Sequence, residues 1–171
     1  MKLTNSLFAG ALLVVSAALV SPEVRAQDWR LDPIYETVTL RAGFTPDPYE
    51  VRLVSGGSVD VQRNIGSRAD GRVGDRRCRG FVANAPDVRL RFTAGSGVLP
   101  LIISVDSSAD TTLVVNGPDG VWYCDDDSGQ GLNPSLRFTN PQSGQYDIWV
   151  GTFGGSSMEP ATLVISELRS R

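Results

Sequence analysis

Asp125, Asp126 and Asp127 stand in a row, followed by Ser128, Gly129, Gln130, Gly131 and Asn133. Carboxylates grouped in a glycine-bearing loop are what a hard cation requires. Calcium takes six to eight oxygens from carboxylates, carbonyls and water at about 2.3–2.6 Å. Asp125 and Asp127 share a face if the segment is extended, and glycines let backbone carbonyls turn toward an ion. Asp106 and Asp110 lie one strand and turn earlier and complete a candidate calcium set. The D-x-D-x-D-G spacing of an EF-hand is absent. The same run also reads as a turn whose aspartates accept their own backbone N–H groups.

Cys78 and Cys124 form an even pair, read as a disulfide in an exported chain and as two buried thiols otherwise. Trp149 and Tyr123 are the aromatic candidates for ligand binding. Tyr146, Ile148 and Val150 alternate onto one face of their strand, which leaves Trp149 on the other, where it would stack on a sugar ring or pack beneath a loop. Tyr123 points away from Trp122 and Cys124 by the same alternation. Arg63, Arg68, Arg72, Arg76, Arg77 and Arg79 make a basic stretch, read as a solvated loop or as a contact for anionic polymers.

The residue types that are missing exclude whole reaction classes. The chain has no histidine, and its only lysine is Lys2. A Ser–His–Asp triad, a Cys–His pair and a lysine Schiff base are therefore ruled out for residues 27–171. Carboxylate-only hydrolysis by two acids stays open, although Glu36, Glu50, Glu159 and Glu167 fall into no recognisable constellation. The expectation is a non-enzymatic module. A purely structural or protein-interaction sandwich is the alternative, and a carboxylate-based hydrolase the outsider.

Strands must position these residues. Short β-type runs punctuated by turn signals recur along residues 35–168, and no window holds an apolar helix period for three turns. The pattern predicts an all-β chain, an antiparallel β-sandwich of jelly-roll type. Tyr49–Leu53 and Ser58–Gln62 are predicted to pair as a hairpin through Ser55-Gly56-Gly57, and residues 63–77 are predicted to be a loop.

The order Pro86-Asp87-Val88-Arg89-Leu90, Leu101–Val105, Asp110–Val115, Asn116-Gly117-Pro118-Asp119-Gly120, Asp125–Asp127 and Ser143–Gly151 resembles the bacterial pre-peptidase C-terminal domain over residues 78–168. The resemblance implies a jelly-roll-like sandwich of secreted proteins, which often sits beside a protease and in some members binds calcium or an extracellular polymer. No protease domain is present in this sequence, so no peptidase activity is expected. Residues 78–169 are taken as the module, and residues 27–77 as a β segment completing the same sandwich.

Residues 1–26 read as a signal peptide. Lys2 precedes the apolar run Leu7–Val20, too short for a comfortable membrane span, and Val24 and Ala26 suit cleavage before Gln27. Losing Lys2, Glu23 and Arg25 with the leader leaves 14 arginines against 18 acidic residues, a net charge of −4. Residues 27–105 then carry net +2 and residues 106–171 net −6. The expected setting is the periplasm or the medium. The expected partner is an envelope or extracellular protein or polysaccharide, with no nucleic acid and no stable membrane insertion after cleavage.

Overall fold

The computed structural model describes residues 27–97 and 99–171; the signal segment lies outside the described residues. Along the chain run β1 (Glu36–Arg41), β2 (Tyr49–Ser55), β3 (Val59–Asp60), the one-turn helix α1 (Val61–Asn64), β4 (Ala69–Gly74) and β5 (Phe81–Val82). There follow β6 (Val88–Thr93), β7 (Leu101–Asp106), β8 (Thr111–Asn116), β9 (Trp122–Asp125), β10 (Ser135–Phe138), β11 (Gly144–Thr152) and β12 (Glu159–Ser166). The larger sheet is ordered β1-β6-β11-β8-β9-β4, with β5 paired to β11 and β3 to β5. The smaller sheet is ordered β10-β7-β12-β2. The chain is an all-β sandwich.

Period-two patterning decides which side chains enter the core. In β6, Val88, Leu90 and Phe92 turn inward, and Arg89 and Arg91 turn outward. Tyr146, Ile148 and Val150 of β11 and Leu113 and Val115 of β8 join the same layer. Leu101, Ile103 and Val105 of β7, with Leu163 and Ile165 of β12, close it from the smaller sheet.

The larger sheet also buries part of its outer face, so β8 is buried along its length and β11 from Tyr146 to Thr152. Val61, Ile65, Cys78 and Val82 pack there over Val114, Cys124 and Trp149. Cys78 and Cys124 are joined by a disulfide, 46 positions apart in sequence with Cα atoms 5.3 Å apart. That bond clamps the α1 region onto β9. Residues 27–77 supply strands to both sheets: β1 pairs with β6, β4 with β9, and β2 with β12.

Three expectations change. Tyr49–Ser55 and Val59–Asp60 do not form a hairpin; they belong to different sheets. Gly56 N–H donates to the Val150 carbonyl at 3.0 Å, and Gly57, at φ +153°, has no room for a Cβ beside the Val82 backbone. The glycines therefore carry the chain across the sandwich edge. Residues 63–77 are not all loop, because Asp60 caps α1 through the Gln62 and Arg63 N–H groups and β4 follows. Two pairings, β1–β6 and β4–β9, are parallel within the otherwise antiparallel sandwich.

Candidate functional site

One register row on the outer face of the larger sheet joins side chains far apart in sequence. Arg89 of β6 stands opposite Asp147 of β11, Asp147 opposite Asn116 of β8, and Asn116 opposite Trp122 of β9. Strand alternation aims all four away from the sandwich core. Arg89 Nε donates to Asp147 Oδ1 at 2.7 Å, and Gln145 Nε2 donates to Asp147 Oδ2 at 2.8 Å. Both members of the ion pair are buried. Arg89 Nη2 also donates to the carbonyls of Trp29 at 2.5 Å and Leu31 at 2.9 Å. The pair thereby holds the segment preceding β1 across the sheet, with the Trp29 ring at 43% exposure.

Between that segment and the β8–β9 turn lies a cleft of about 470 Å³. Trp29, Trp122, Asn116, Gln145, Asp147 and Ser143 line it. The volume falls in the roughly 300–1,000 Å³ range of small-molecule sites. Trp122 is braced from behind: its ring packs 5.5 Å from that of Trp149, centroid to centroid, with the planes 41° apart. The turn is fixed by Asp119, whose Oδ1 accepts the Val121 N–H at 3.0 Å, and by Asn116 Nδ2, which donates to the Gly120 carbonyl at 3.2 Å.

Both expected aromatic candidates are buried. Trp149 is fully buried in the outer cluster, where Val61, Ile65 and the disulfide cover it. Of the covering residues, Ile65 comes from the stretch predicted to be a loop. Tyr123 lies in the main core, edge-on to Phe138 at 5.0 Å, with its hydroxyl donating to Asp119 Oδ2 at 2.8 Å. Burial and the adjacent Asp119 carboxylate raise its pKa.

The aspartates divide. Asp125, expected as a calcium ligand, is buried and already engaged. Its carboxylate accepts from Ser128 N at 3.0 Å, Ser128 Oγ at 2.7 Å and Ser135 N at 2.7 Å. This is the Asx-type turn with a second strand attached. Burial raises the Asp125 pKa, and these hydrogen bonds act against the shift. Burial and the Asp75 carboxylate push Asp126 up to about 7. Burial and Asp127 raise Asp110, whose Oδ1 is buried without a partner. Asp106 ends β7 exposed. Among the described residues, no three His, Cys, Asp or Glu side chains are grouped to hold a metal. The basic stretch folds back here: Arg76, Arg77 and Arg79 line one surface cavity with Asp75, Asp126 and Asp127. Arginines thus share a surface cavity with two of the aspartates that the sequence grouped as calcium candidates.

No known protein family matches the chain, and no curated protein sequence matches it. Among solved structures it is similar to PliG of Aeromonas hydrophila, a periplasmic inhibitor of g-type lysozyme. The TM-score is 0.36 at 14% identity, over 77% of this chain and 96% of that one. That similarity is too low to carry an argument about this protein.

The sequence pattern does not mark Trp29, Trp122, Asn116 or Gln145 as site residues. The one usable signal is Arg89 and Asp147, opposite charges at outward positions of two strands flanked by aliphatics.

Proposed function

We propose that this protein is an exported, non-catalytic binding module that takes its ligand in the Trp29–Trp122 cleft. The single observation behind this reading is the cleft: an exposed and a braced tryptophan beside a polar floor, on a rigid sheet. Among the described residues lining the cleft the one carboxylate is Asp147, and Arg89 neutralises it, whereas glycoside hydrolysis needs two carboxyl groups. Export to the periplasm or medium and kinship with the pre-peptidase C-terminal domain over residues 78–168 belong to the same proposal. The partner class is an envelope or extracellular protein or polysaccharide.

The test is tryptophan emission during titration with three ligand classes: neutral oligosaccharides, anionic polysaccharides and a mixed peptide library. One class is expected to shift the emission, and Trp29→Ala to remove the shift. If no class shifts it, or Trp29→Ala responds like the wild type, the cleft reading ends. Release of product from the bound ligand would overturn the non-catalytic role.

A second reading assigns calcium to the Asp110 and Asp127 pair. It is favoured by the unpartnered Asp110 Oδ1 beside Asp127. Backbone carbonyls and water would have to complete the shell. Calcium at about 100 times its Kd adds roughly 2.7 kcal/mol to unfolding. A thermal melt unchanged between calcium and chelator removes this reading.

A further inference from the structure

We infer that the cleft is built for a neutral, hydroxyl-rich ring, and that its occupant is an uncharged oligosaccharide. The inference rests on the binding reading above and adds the chemistry of the ligand.

Charge comes first. Among the described residues, Asp147 is the one ionisable residue lining the cleft, and it is in contact with Arg89 at 2.7 Å, the two side chains 3% and 11% exposed. The floor therefore presents no unpaired charge. The cation nearest the cleft, Arg30 over the Trp29 ring, stands 3.8 Å from Asp28, and a basic side chain finds Arg89 behind the Asp147 carboxylate. A charged ligand would lose its hydration without compensation.

Hydrogen-bonding capacity comes second. The amide of Asn116 spends its donors on the Gly120 carbonyl at 3.2 Å and the Val121 carbonyl at 3.5 Å. Gln145 directs Nε2 to Asp147 Oδ2 at 2.8 Å. With those amide nitrogens engaged, Asn116 Oδ1 and Gln145 Oε1 accept no described hydrogen bond, and the Ser143 hydroxyl donates none. The lining thus offers acceptors on Asn116 and Gln145 and donors in the Ser143 hydroxyl, the second Gln145 amide N–H and the Trp29 and Trp122 indole N–H groups, a mixed set that is met best by hydroxyl groups, which both donate and accept. Sugar hydroxyls do this without carrying charge.

Shape comes third. Arg30 lies 4.9 Å from the Trp29 ring centroid and covers part of that ring, while the ring also lines the cleft. Trp122 is backed by the buried Trp149. Flat apolar rings beside acceptors suit a pyranose, which has an aliphatic C–H face and a hydroxylated edge. Trp29 comes from the segment before β1, outside the stretch that resembles the pre-peptidase module. The site is therefore a property of the whole chain.

The experiment is isothermal titration of the full exported chain with cello-, malto- and chito-oligosaccharides of about four to six rings, in parallel with an anionic polysaccharide and the peptide library. One neutral series is expected to bind, with affinity unchanged between about 0.05 and 0.5 M salt. Trp29→Ala, at an exposed position that folding does not need, is expected to weaken it at least about tenfold. Trp122→Leu is checked by circular dichroism before use, since Trp122 also packs on the outer cluster. No binding of any neutral series at about 10 mM, binding that weakens with salt, or binding indifferent to Trp29 would overturn the inference. If a peptide or polyanion binds in a Trp29-dependent way and sugars do not, the sugar inference falls and the cleft reading stands. If nothing binds through Trp29, both fall.

Discussion

Asp87 offers the sharpest quantitative prediction. Its side chain is buried at the head of β6, where Oδ2 accepts the Val150 N–H at 2.7 Å. The nearby outer-face charges, Arg89 and Asp147, are spent on each other. Burial pushes Asp87 from 3.8 to about 7, with the Val150 hydrogen bond acting against the shift. Between those values the folded chain keeps a proton that the unfolded chain has released, so stability falls as pH rises from about 4 to 7. Each pKa unit is worth 1.36 kcal/mol, and the span therefore corresponds to a loss of about 4 kcal/mol. Asp87→Asn removes the titration and adds an amide donor, whose fixed cost of about 1–3 kcal/mol does not vary with pH. Urea unfolding followed by tryptophan fluorescence at pH 4 and pH 8 separates the two effects. Relative to wild type, the variant should gain about 4 kcal/mol on going from pH 4 to pH 8. Asp110, Asp125 and Asp126 are shifted the same way, but their contributions cancel in the comparison. A difference between variant and wild type that stays constant across the two pH values would refute the burial argument.

Arg89→Met should destabilise by about 3–5 kcal/mol by leaving Asp147 buried and unpaired. Trypsin should then cut faster at Arg30, because the segment before β1 loses two of its anchoring hydrogen bonds and keeps only the backbone ones from Asp28, Ile34 and Tyr35; unchanged cleavage would contradict that anchoring role. The double variant Arg89→Met/Asp147→Leu should recover much of the lost stability. Replacing Cys78 and Cys124 together by alanine should cost about 4 kcal/mol by the loop-entropy relation for their separation, read as a melting-point drop of roughly 10 °C; an unchanged melt would mean the bond contributes nothing. Asp125→Ala should lower the melting temperature equally in calcium and in chelator, since its carboxylate serves Ser128 and Ser135; a loss confined to calcium would make it a ligand after all.

The strand periods and the turn glycines were enough to read an all-β sandwich from residues 35–168, because period-two alternation is local chemistry. The inward and outward faces of β9 and β11 followed from the same alternation, down to Trp122 and Cys124 sharing a side opposite Tyr123. Alternation says which way a side chain leaves its strand, but not what lies above it. Trp149 leaves the core face as expected, yet α1 and the disulfide cover it. Trp29 sits in a stretch with no period, yet Arg89 holds it over the sheet. The hairpin at Gly56 failed for a related reason: a Ser-Gly-Gly turn permits a sharp reversal, and only the competing sheets decide which strand the chain then joins. Asp125 became a turn anchor because its partners, Ser128 and Ser135, lie on both sides of a loop whose closure no local signal specifies. Residue types and short-range periods are written in the chain. The row from Arg89 through Asp147 and Asn116 to Trp122 exists only because four strands separated in sequence come into one register.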